Sequence, residues 1–416
     1  MFRKCAVKWG FLLLIAAANF IIGYRTSIKF FYFFFGFLFC FIFLSLFYAF
    51  LSAFIARISF TRKAGAKVVE DDALEIEVTL SNKTILPLFN VVMEDALPCA
   101  APGGKAEFIF FDGLAPGSTL VIKYNCACPD RGIYMLGPFK AYFFDPLGLF
   151  FFEKRYNVYS QVYVYPRVFP IYKFPRLAKG VQPWFGINTA RSSGDEDEFF
   201  GVREYKDGDP IKRIHWPSTA KKNRLIVKQF QNQSFHRATV IFNLEKDKDY
   251  GQGKESIAEY TVRIAASVCK YLFDSNVSIE MIAHAGEIVH IPFNRGSEHL
   301  DNIFKFLAMA RPESGVGLAE IIPEFLSYIP DDTTLIIVAT VEDLGYIAQM
   351  LPLAKGNISL IPLVLISSTF LEPSGKLEKA DILKDINIHI PGLVNFNPVF
   401  FTCGVSPQES FLKISQ

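Results

Sequence analysis

Hydrophobic positions are concentrated in two long runs near the start of the chain. The first run, 9–24, is interrupted only by Asn19, and the second, 30–56, contains no charged residue. A helix needs about 20 mainly apolar residues to cross the hydrocarbon core of a bilayer. The pattern therefore predicts two transmembrane helices, which span about 8–24 and 30–56.

A short basic turn joins the two runs, so we expect them to form a helical hairpin over 1–64. Lys and Arg collect on the cytoplasmic side of short membrane flanks. The tip of the hairpin carries only Arg25 and Lys29. The outer flanks carry more basic residues, namely Arg3, Lys4, Lys8, Arg57, Arg62, Lys63 and Lys67. The charge balance predicts a multi-pass membrane protein whose two outer ends and soluble part are cytoplasmic, with the tip of the hairpin outside.

A signal peptide is the alternative interpretation of the first run. Its basic start, Arg3, Lys4 and Lys8, fits that class of segment. No clear small-x-small cleavage motif precedes Arg25, and the second run follows almost at once. The length of the combined segment therefore favours the membrane hairpin.

Polar and apolar residues alternate over short runs in residues 65–165. Examples are 75–80, 108–110 and 120–124, and turn residues such as Pro102-Gly103-Gly104 separate them. Alternation with a period of two indicates half-buried strands, and this spacing of strands and turns is typical of a small sandwich. We predict an Ig-like β-sandwich for this region.

A proline-containing connection, 166–237, leads to a region with a different pattern. From residue 238 to 416, short apolar runs alternate with amphipathic segments. The apolar runs are 239–244, 277–282, 335–339 and 358–366, with a short edge strand over 287–291; the amphipathic segments include 256–273, 300–307 and 343–354. Alternation of buried strands with helices predicts a doubly wound α/β domain.

Overall composition excludes several classes of protein. The 416 residues carry a formal net charge of +2, which gives no electrostatic footprint for nucleic acid. Seven scattered cysteines do not form a disulfide framework. Cys126-Ala-Cys128 places two thiols on one face of a strand, which suggests a metal site; ordinary buried or surface thiols are the favoured interpretation, because zinc ribbons need two wider pairs.

Residues 194–233 form the most distinctive segment of the chain. Acidic residues dominate its first half and basic residues its second half, with apolar residues interleaved. Glu204 and Tyr205 close a predicted strand, and Asp207-Gly208-Asp209 reads as a tight turn. Asp209-Pro210 fits the start of a short helix, with Asp209 as the N-cap and Ile211, Ile214 and Ser218 on one face. Arg203 and Arg213 are natural bidentate partners for Asp207, Asp209 or Glu204.

Two interpretations of this segment remain open. The ion pairs form an internal network that joins two domains, or the segment docks a partner protein. His215 and Trp216 fit both interpretations, since a histidine beside an aromatic ring usually packs and hydrogen-bonds rather than acting as a base. The basic residues Lys221, Lys222, Arg224 and Lys228 fit a solvated face or a contact with anionic lipid.

These residues resemble the signature of the domain of unknown function 58 family. Over nearly all the rest of the chain, the order of the predicted elements also resembles that family. The family resemblance implies a membrane-anchored protein with a C-terminal domain like that of von Willebrand factor A. It also implies partnership with a MoxR-type AAA+ ATPase and with other membrane proteins.

The A-type domain holds magnesium with an Asp-x-Ser-x-Ser motif after its first strand, and this chain departs from that motif. Asn243, Glu245 and Asp247 stand at the three ligand positions, and Lys246 adds a positive charge. Oxygen ligands are retained, but the set that defines magnesium geometry is absent. We therefore expect no metal and no other cofactor.

An enzyme is the less favoured interpretation. The run 195–198 contains four consecutive acids, which normally lie open to water rather than in a shielded cleft. No nucleophile elbow, phosphate-binding loop or dinucleotide fingerprint is present. We predict a non-enzymatic membrane scaffold or adaptor; the alternative is an envelope enzyme or a metal-dependent adhesion module that uses the loop after the first α/β strand.

Overall fold

The computed structural model divides the chain into two units, which are Met1–Arg167 with Phe304–Met309, and Val168–Ile303 with Ala310–Gln416. The structure describes residues 2–85, 87–110, 113–175, 177, 199–206, 209, 211, 214–230, 237–326, 333–343, 345, 359–371 and 398–412.

Two long apolar helices begin the first unit. Helix α1 is Phe2–Thr26 and α2 is Lys29–Ile55. Within them, Lys8–Thr26 and Lys29–Ile55 are long and apolar enough to cross a membrane, with mean hydropathies of 1.3 and 2.5. Ser27 turns the chain between them at a φ of 58°. The prediction of two N-terminal apolar helices is confirmed; their crossing of a membrane stays a prediction.

A β-rich region with one hydrophobic core follows the helices. One sheet has the order β1-β3-β6, a second β5-β4-β8-β9, and a third β2-β10-β7. The strands are β1 Ile58–Ala64, β2 Lys67–Val69, β3 Ala73–Asn82, β4 Val91–Ala96, β5 Lys105–Phe110, β6 Thr119–Ala127, β7 Gly132–Leu136, β8 Phe139–Phe144, β9 Phe151–Tyr156 and β10 Ser160–Tyr165. Alternate residues of β3 are buried, as the period-two pattern predicts. The first strand begins ahead of residue 65, because Ile58 and Phe60 fill the same core.

A buried ion pair connects two of these sheets. Arg62 on β1 donates to both carboxylate oxygens of Asp95 on β4, from Nε at 3.1 Å and from Nη2. Tyr124 on β6 donates its hydroxyl proton to the same carboxylate. Both charged side chains are fully buried, and the guanidinium also lies over the ring of Phe139. Burial raises the pKa of Asp95, while the bonds from Tyr124 and Arg62 lower it.

The second unit contains a six-stranded sheet with the order β15-β14-β13-β16-β17-β18. Its strands are β13 Arg237–Asn243, β14 Ser278–His284, β15 Ile288–Asn294, β16 Thr334–Thr340, β17 Ser359–Leu365 and β18 Val399–Phe401. All neighbours are parallel except β15, which pairs antiparallel at one edge. The central strands are buried almost throughout, as parallel strands covered on both faces require.

Helices lie between these strands and after the last of them. They are α4 Ile257–Asp274, α5 Ser297–Met309, α6 Leu318–Leu326, α7 Ser367–Leu371 and α8 Pro407–Leu412. Ser256 caps α4 by accepting a hydrogen bond from the amide of Glu259 at 3.3 Å. The helix expected over 343–354 lies largely outside the described residues.

Loss of Arg62 should destabilise the β-rich region strongly, because it leaves the carboxylate of Asp95 buried without its counter-charge. We expect Arg62→Met to lower the free energy of unfolding by about 3–5 kcal/mol. The double variant with Asp95→Leu should recover part of that loss. Denaturant unfolding followed by circular dichroism measures both. Equal stability of Arg62→Met and the wild type would show that the pair contributes nothing.

Candidate functional site

The distinctive segment folds into an antiparallel hairpin, in which Arg203 pairs with Asp209. Strand β11, Phe199–Glu204, pairs with β12, Ile226–Phe230. The guanidinium of Arg203 donates from Nη1 and Nη2 to the two carboxylate oxygens of Asp209, at 2.6 and 2.7 Å. The amide of Lys206 donates to Asp209 at 2.9 Å. These bonds close the turn, and the hydrogen bond from Arg203 lowers the pKa of Asp209.

The other residues of the segment fall into three groups. Glu204 pairs with Arg224 at 2.5 Å, and both side chains are exposed. The amide of Tyr205 donates to the carbonyl of Leu225 at 2.9 Å, which extends the ladder by one step. The predicted site residues Asp207, Gly208 and Arg213 lie outside the described residues.

Ile211 lies in a 3-10 turn, in which the amide of Ile214 donates to the carbonyl of Ile211 at 3.1 Å, whereas the α-helix begins later. Helix α3 is Trp216–Lys222, with His215 at the N-cap and Pro217 in the first turn. Asp209 is not the N-cap, because its carboxylate accepts from Arg203 and Lys206 instead. Ile214 is buried in a bridge to β12, whereas Ile211 is 71% exposed. The two isoleucines of the predicted face therefore differ in burial.

A histidine and a serine lie within hydrogen-bond distance at the start of α3. His215 Nδ1 is 2.7 Å from Ser218 Oγ, and the amide of His215 donates to the carbonyl of Ile226 at 2.7 Å. The neighbouring Trp216 side chain is 62% exposed. Both His215 and Ser218 are half-buried, and the bond joins residues three apart at the start of α3, which is a local contact.

Large apolar side chains and basic side chains are exposed together on this hairpin. We call the described residues 199–230 the signature hairpin. Its exposed apolar residues are Val202, Ile211, Trp216 and Leu225, and its exposed basic residues are Lys206, Lys221, Lys222, Arg224 and Lys228. A segment that presents isoleucine and tryptophan to solvent among positive charges has the composition of a contact surface.

A second polar cluster lies at the carboxyl edge of the six-stranded sheet. We call it the carboxyl-edge pocket, and its polar lining includes Asn243, Glu245, Lys248, Thr340 and Asp343. Strands β13 and β16 are parallel neighbours, so the loops that follow them meet at this edge. Lys248 Nζ lies 2.8 Å from Glu245 Oε2 and donates to Asp343 Oδ1 at 2.9 Å. Thr340 donates its hydroxyl proton to the other oxygen of Asp343 at 2.8 Å. An ammonium group thus occupies the space between two carboxylates.

The expected metal positions are only partly brought together. Asn243 and Glu245 line the same pocket as Lys248 and Asp343, whereas the side chain of Asp247 is exposed. Asn243 donates from Nδ2 to the carbonyl of Val316 at 2.8 Å, and its Oδ1 is buried without a hydrogen-bond partner.

The positive charge comes from Lys248, not from the exposed Lys246 predicted from the sequence. Burial lowers the pKa of Lys248, but the bonds with Asp343 and Glu245 outweigh burial and raise it overall. Since the amine keeps its proton at neutral pH, it neutralises oxygens that would otherwise attract a cation.

A third cluster contains the sulfur atoms of Cys99, Cys126 and Cys128 in the β-rich region. All three residues are buried, and their Sγ atoms lie within 4.8 Å of one another. The predicted pair at 126 and 128 is thus joined by a third cysteine from a distant part of the sequence. Burial and the contact with Cys99 raise the pKa of Cys126 to about 12, whereas a hydrogen bond from Cys99 lowers the pKa of Cys128.

Comparison with known proteins finds a family match over about a third of the chain. Residues 201–339 match the family described as "Protein of unknown function DUF58". The chain is 23% identical over 299 residues to "Uncharacterized protein YeaD" of Bacillus subtilis (strain 168), covering 70% of this chain and 71% of that protein. The segment that matches the family includes the signature hairpin from Gly201 onward and the pocket residues Glu245 and Lys248, whereas Thr340 and Asp343 follow it.

Solved structures show only weak similarity. The CARDB domain of the PF1109 protein from Pyrococcus furiosus, solved in complex with di-metal ions, is 17% identical; it covers 26% of this chain and 94% of its own, with a TM-score of 0.21. A beta-glucosidase from Listeria innocua is 11% identical and covers 24% of this chain and 16% of its own, with a TM-score of 0.15. Scores this low carry no argument about fold or function.

Removal of the Lys248 ammonium should leave two carboxylates facing each other at the sheet edge. We expect Lys248→Met to lower the free energy of unfolding by roughly 1–3 kcal/mol, the range for hydrogen bonds to charged groups. Magnesium should raise the melting temperature of this variant and leave the wild type unchanged. Lys246→Met, which removes an exposed lysine from the same loop, is the control. Stabilisation of the wild type by magnesium to the same extent would contradict this account of the pocket.

Proposed function

We propose that the chain is a non-enzymatic, membrane-anchored scaffold whose second unit is a von Willebrand factor A-like domain that binds a MoxR-type AAA+ ATPase. The observation that carries the proposal is the signature hairpin. Its turn is closed by the bidentate pair of Arg203 and Asp209, while Ile211 and Trp216 are 71% and 62% exposed. A preorganised turn beside exposed aromatic and aliphatic groups supports a protein-docking role. The surrounding lysines favour an acidic partner surface.

Contacts within the first unit support the membrane orientation of the scaffold. Near the start of α1, Lys8 Nζ lies 3.5 Å from the carbonyl of Leu147, and Trp9 stacks on Phe150. Near the end of α2, the ring of Phe50 meets Phe152 edge to face at 5.7 Å. Both outer ends of the hairpin thus contact the same β-rich region, which supports a topology with both ends on one side of the bilayer. The basic flanks favour the cytoplasmic side of the inner membrane.

The carboxyl-edge pocket supports partner binding that does not depend on a metal. Lys248 supplies a positive charge between Glu245 and Asp343. A divalent cation would have to displace that ammonium or bind beside it, and like charges at that distance repel.

The alternative function is a metal-dependent adhesion module or an envelope enzyme. The unpartnered, buried Oδ1 of Asn243 is the observation that favours it, since this oxygen is a possible ligand for a hard cation. Divalent-cation-dependent binding of a surface ligand, lost in Glu245→Gln, would support the alternative.

Docking through the signature hairpin is tested by affinity purification of the full-length protein from its native membranes, with and without ATP. We expect an AAA+ ATPase to be retained in a nucleotide-dependent way. Trp216→Ala should weaken that interaction by at least about 2 kcal/mol, or roughly 30-fold in Kd, because buried tryptophans dominate interface energies. Arg203→Ala should weaken it as well, because the turn is no longer closed.

The matched control is Tyr172→Ala, which removes another aromatic side chain of the same unit that is 72% exposed. Its retention of the ATPase should equal that of the wild type, and circular dichroism should show that all variants are folded. Normal binding by a folded Trp216→Ala variant would exclude docking through this hairpin. Recovery of the chain without any ATPase, under conditions that preserve other membrane complexes, would exclude the partnership itself.

A further inference from the structure

Three cysteine side chains from separate segments converge inside the β-rich region. Cys126 is on β6 and Cys128 follows that strand, so both point to the same side of the sheet. Cys99 follows β4, which belongs to a different sheet. The Sγ atoms of Cys99 and Cys126 are 3.5 Å apart, and the three residues are between 0 and 4% exposed. The two sheets thus bring three sulfur atoms to one point of the core.

The spacing of the sulfur atoms matches that of ligands around one metal ion. A metal–thiolate bond of about 2.3 Å places the sulfur atoms of a shared ion about 4 Å apart. The three sulfur atoms already lie within 4.8 Å of one another. Small changes in side-chain torsion would therefore bring all three to bonding distance without movement of the strands.

The three sulfur donors favour some metal ions over others. Thiolates are soft ligands that favour Cu(I) and Zn(II) among biological metals, and structural zinc almost always takes four protein ligands. In the described part of the chain, no histidine or carboxylate joins the three thiols within the same distance. Three sulfur donors suit a three-coordinate Cu(I) ion. We propose that Cys99, Cys126 and Cys128 form a buried binding site for one Cu(I) ion.

The turn that joins β4 to β5 is the path by which the ion would reach the sulfur atoms. Cys99 lies in the turn that joins β4 to β5, where the amide of Leu97 donates to the carbonyl of Gly104 at 2.7 Å. Residues 101–103 at the tip of this turn are exposed. Opening of one short turn would expose the sulfur atoms without disturbing the sheets. Each sulfur that binds as a thiolate releases one proton to solvent, so copper loading strengthens as the pH rises.

The site is tested on the full-length protein in detergent, under anaerobic and reducing conditions. The parent variant carries Cys5→Ser, Cys40→Ser, Cys269→Ala and Cys403→Ser, so that only the three clustered thiols remain. Cu(I) is titrated in competition with bicinchoninate. The absorbance of the bicinchoninate complex reports the copper that the protein has not bound. We expect one Cu(I) per chain. Cys126→Ser or Cys128→Ser should weaken binding by more than about 100-fold, because even residues that only support a ligand contribute 10–100-fold.

Copper-edge X-ray absorption of the wild-type protein tests the ligands without any substitution at the cluster, so a variant that fails to fold does not decide the result. A coordination shell made only of three sulfur atoms supports the site. The inference is overturned if the parent variant does not compete with bicinchoninate, or if folded Cys126→Ser binds Cu(I) as the parent does. Nitrogen or oxygen ligands in the absorption spectrum, or displacement of Cu(I) by equimolar Zn(II), would also overturn it.

Discussion

The carboxylate of Asp145 is the interaction on which the arrangement of the first unit depends. It accepts a hydrogen bond from the hydroxyl of Ser45 on α2 at 2.5 Å, and further bonds from the amides of Leu147, Leu149 and Phe150 at 3.0, 2.6 and 2.8 Å. The residue is fully buried, and a buried carboxylate without partners costs several kcal/mol. The same charge therefore shapes the turn between β8 and β9 and holds the helix against it.

This attachment determines how the β-rich region meets the proposed membrane. The 27 residues of α2 extend over about 40 Å, whereas the hydrocarbon core is about 30 Å thick. If α2 spans the membrane, its last part would extend beyond the hydrocarbon. At this end Lys154 donates to the carbonyl of Ala56 at 2.7 Å. A cation at the end of a helix neutralises the partial negative charge of its last carbonyl groups. The β-rich region is thus fastened directly to the helix rather than tethered by a flexible linker.

Local sequence patterns predicted most helices and strands of this chain. The features that they did not predict depend on contacts between residues that are distant in the sequence. The two apolar helices and strand β3 could be predicted, because hydrophobic periodicity depends only on neighbouring residues. Asp209-Pro210 predicts a helix start, but only a 3-10 turn at Ile211 follows, and the carboxylate of Asp209 pairs with Arg203 instead of capping the α-helix at Trp216. Cys99 could not be assigned to the pair at 126 and 128, because only the packing of two sheets brings it there.

The carboxyl-edge pocket shows how one lysine side chain changes what the carboxyl edge of a parallel sheet can bind. Oxygen atoms of Glu245, Thr340 and Asp343 remain where the loops after parallel strands meet, but the ammonium of Lys248 lies among them. Asp249 also lines the pocket, so the ammonium offsets one of three carboxylates. The ammonium repels a divalent ion that approaches the same oxygen atoms, and the ion must displace it before Glu245 and Asp343 can act as ligands. An internal cation keeps the loops in place without depending on the concentration of magnesium. Binding at this edge would then respond to the partner alone.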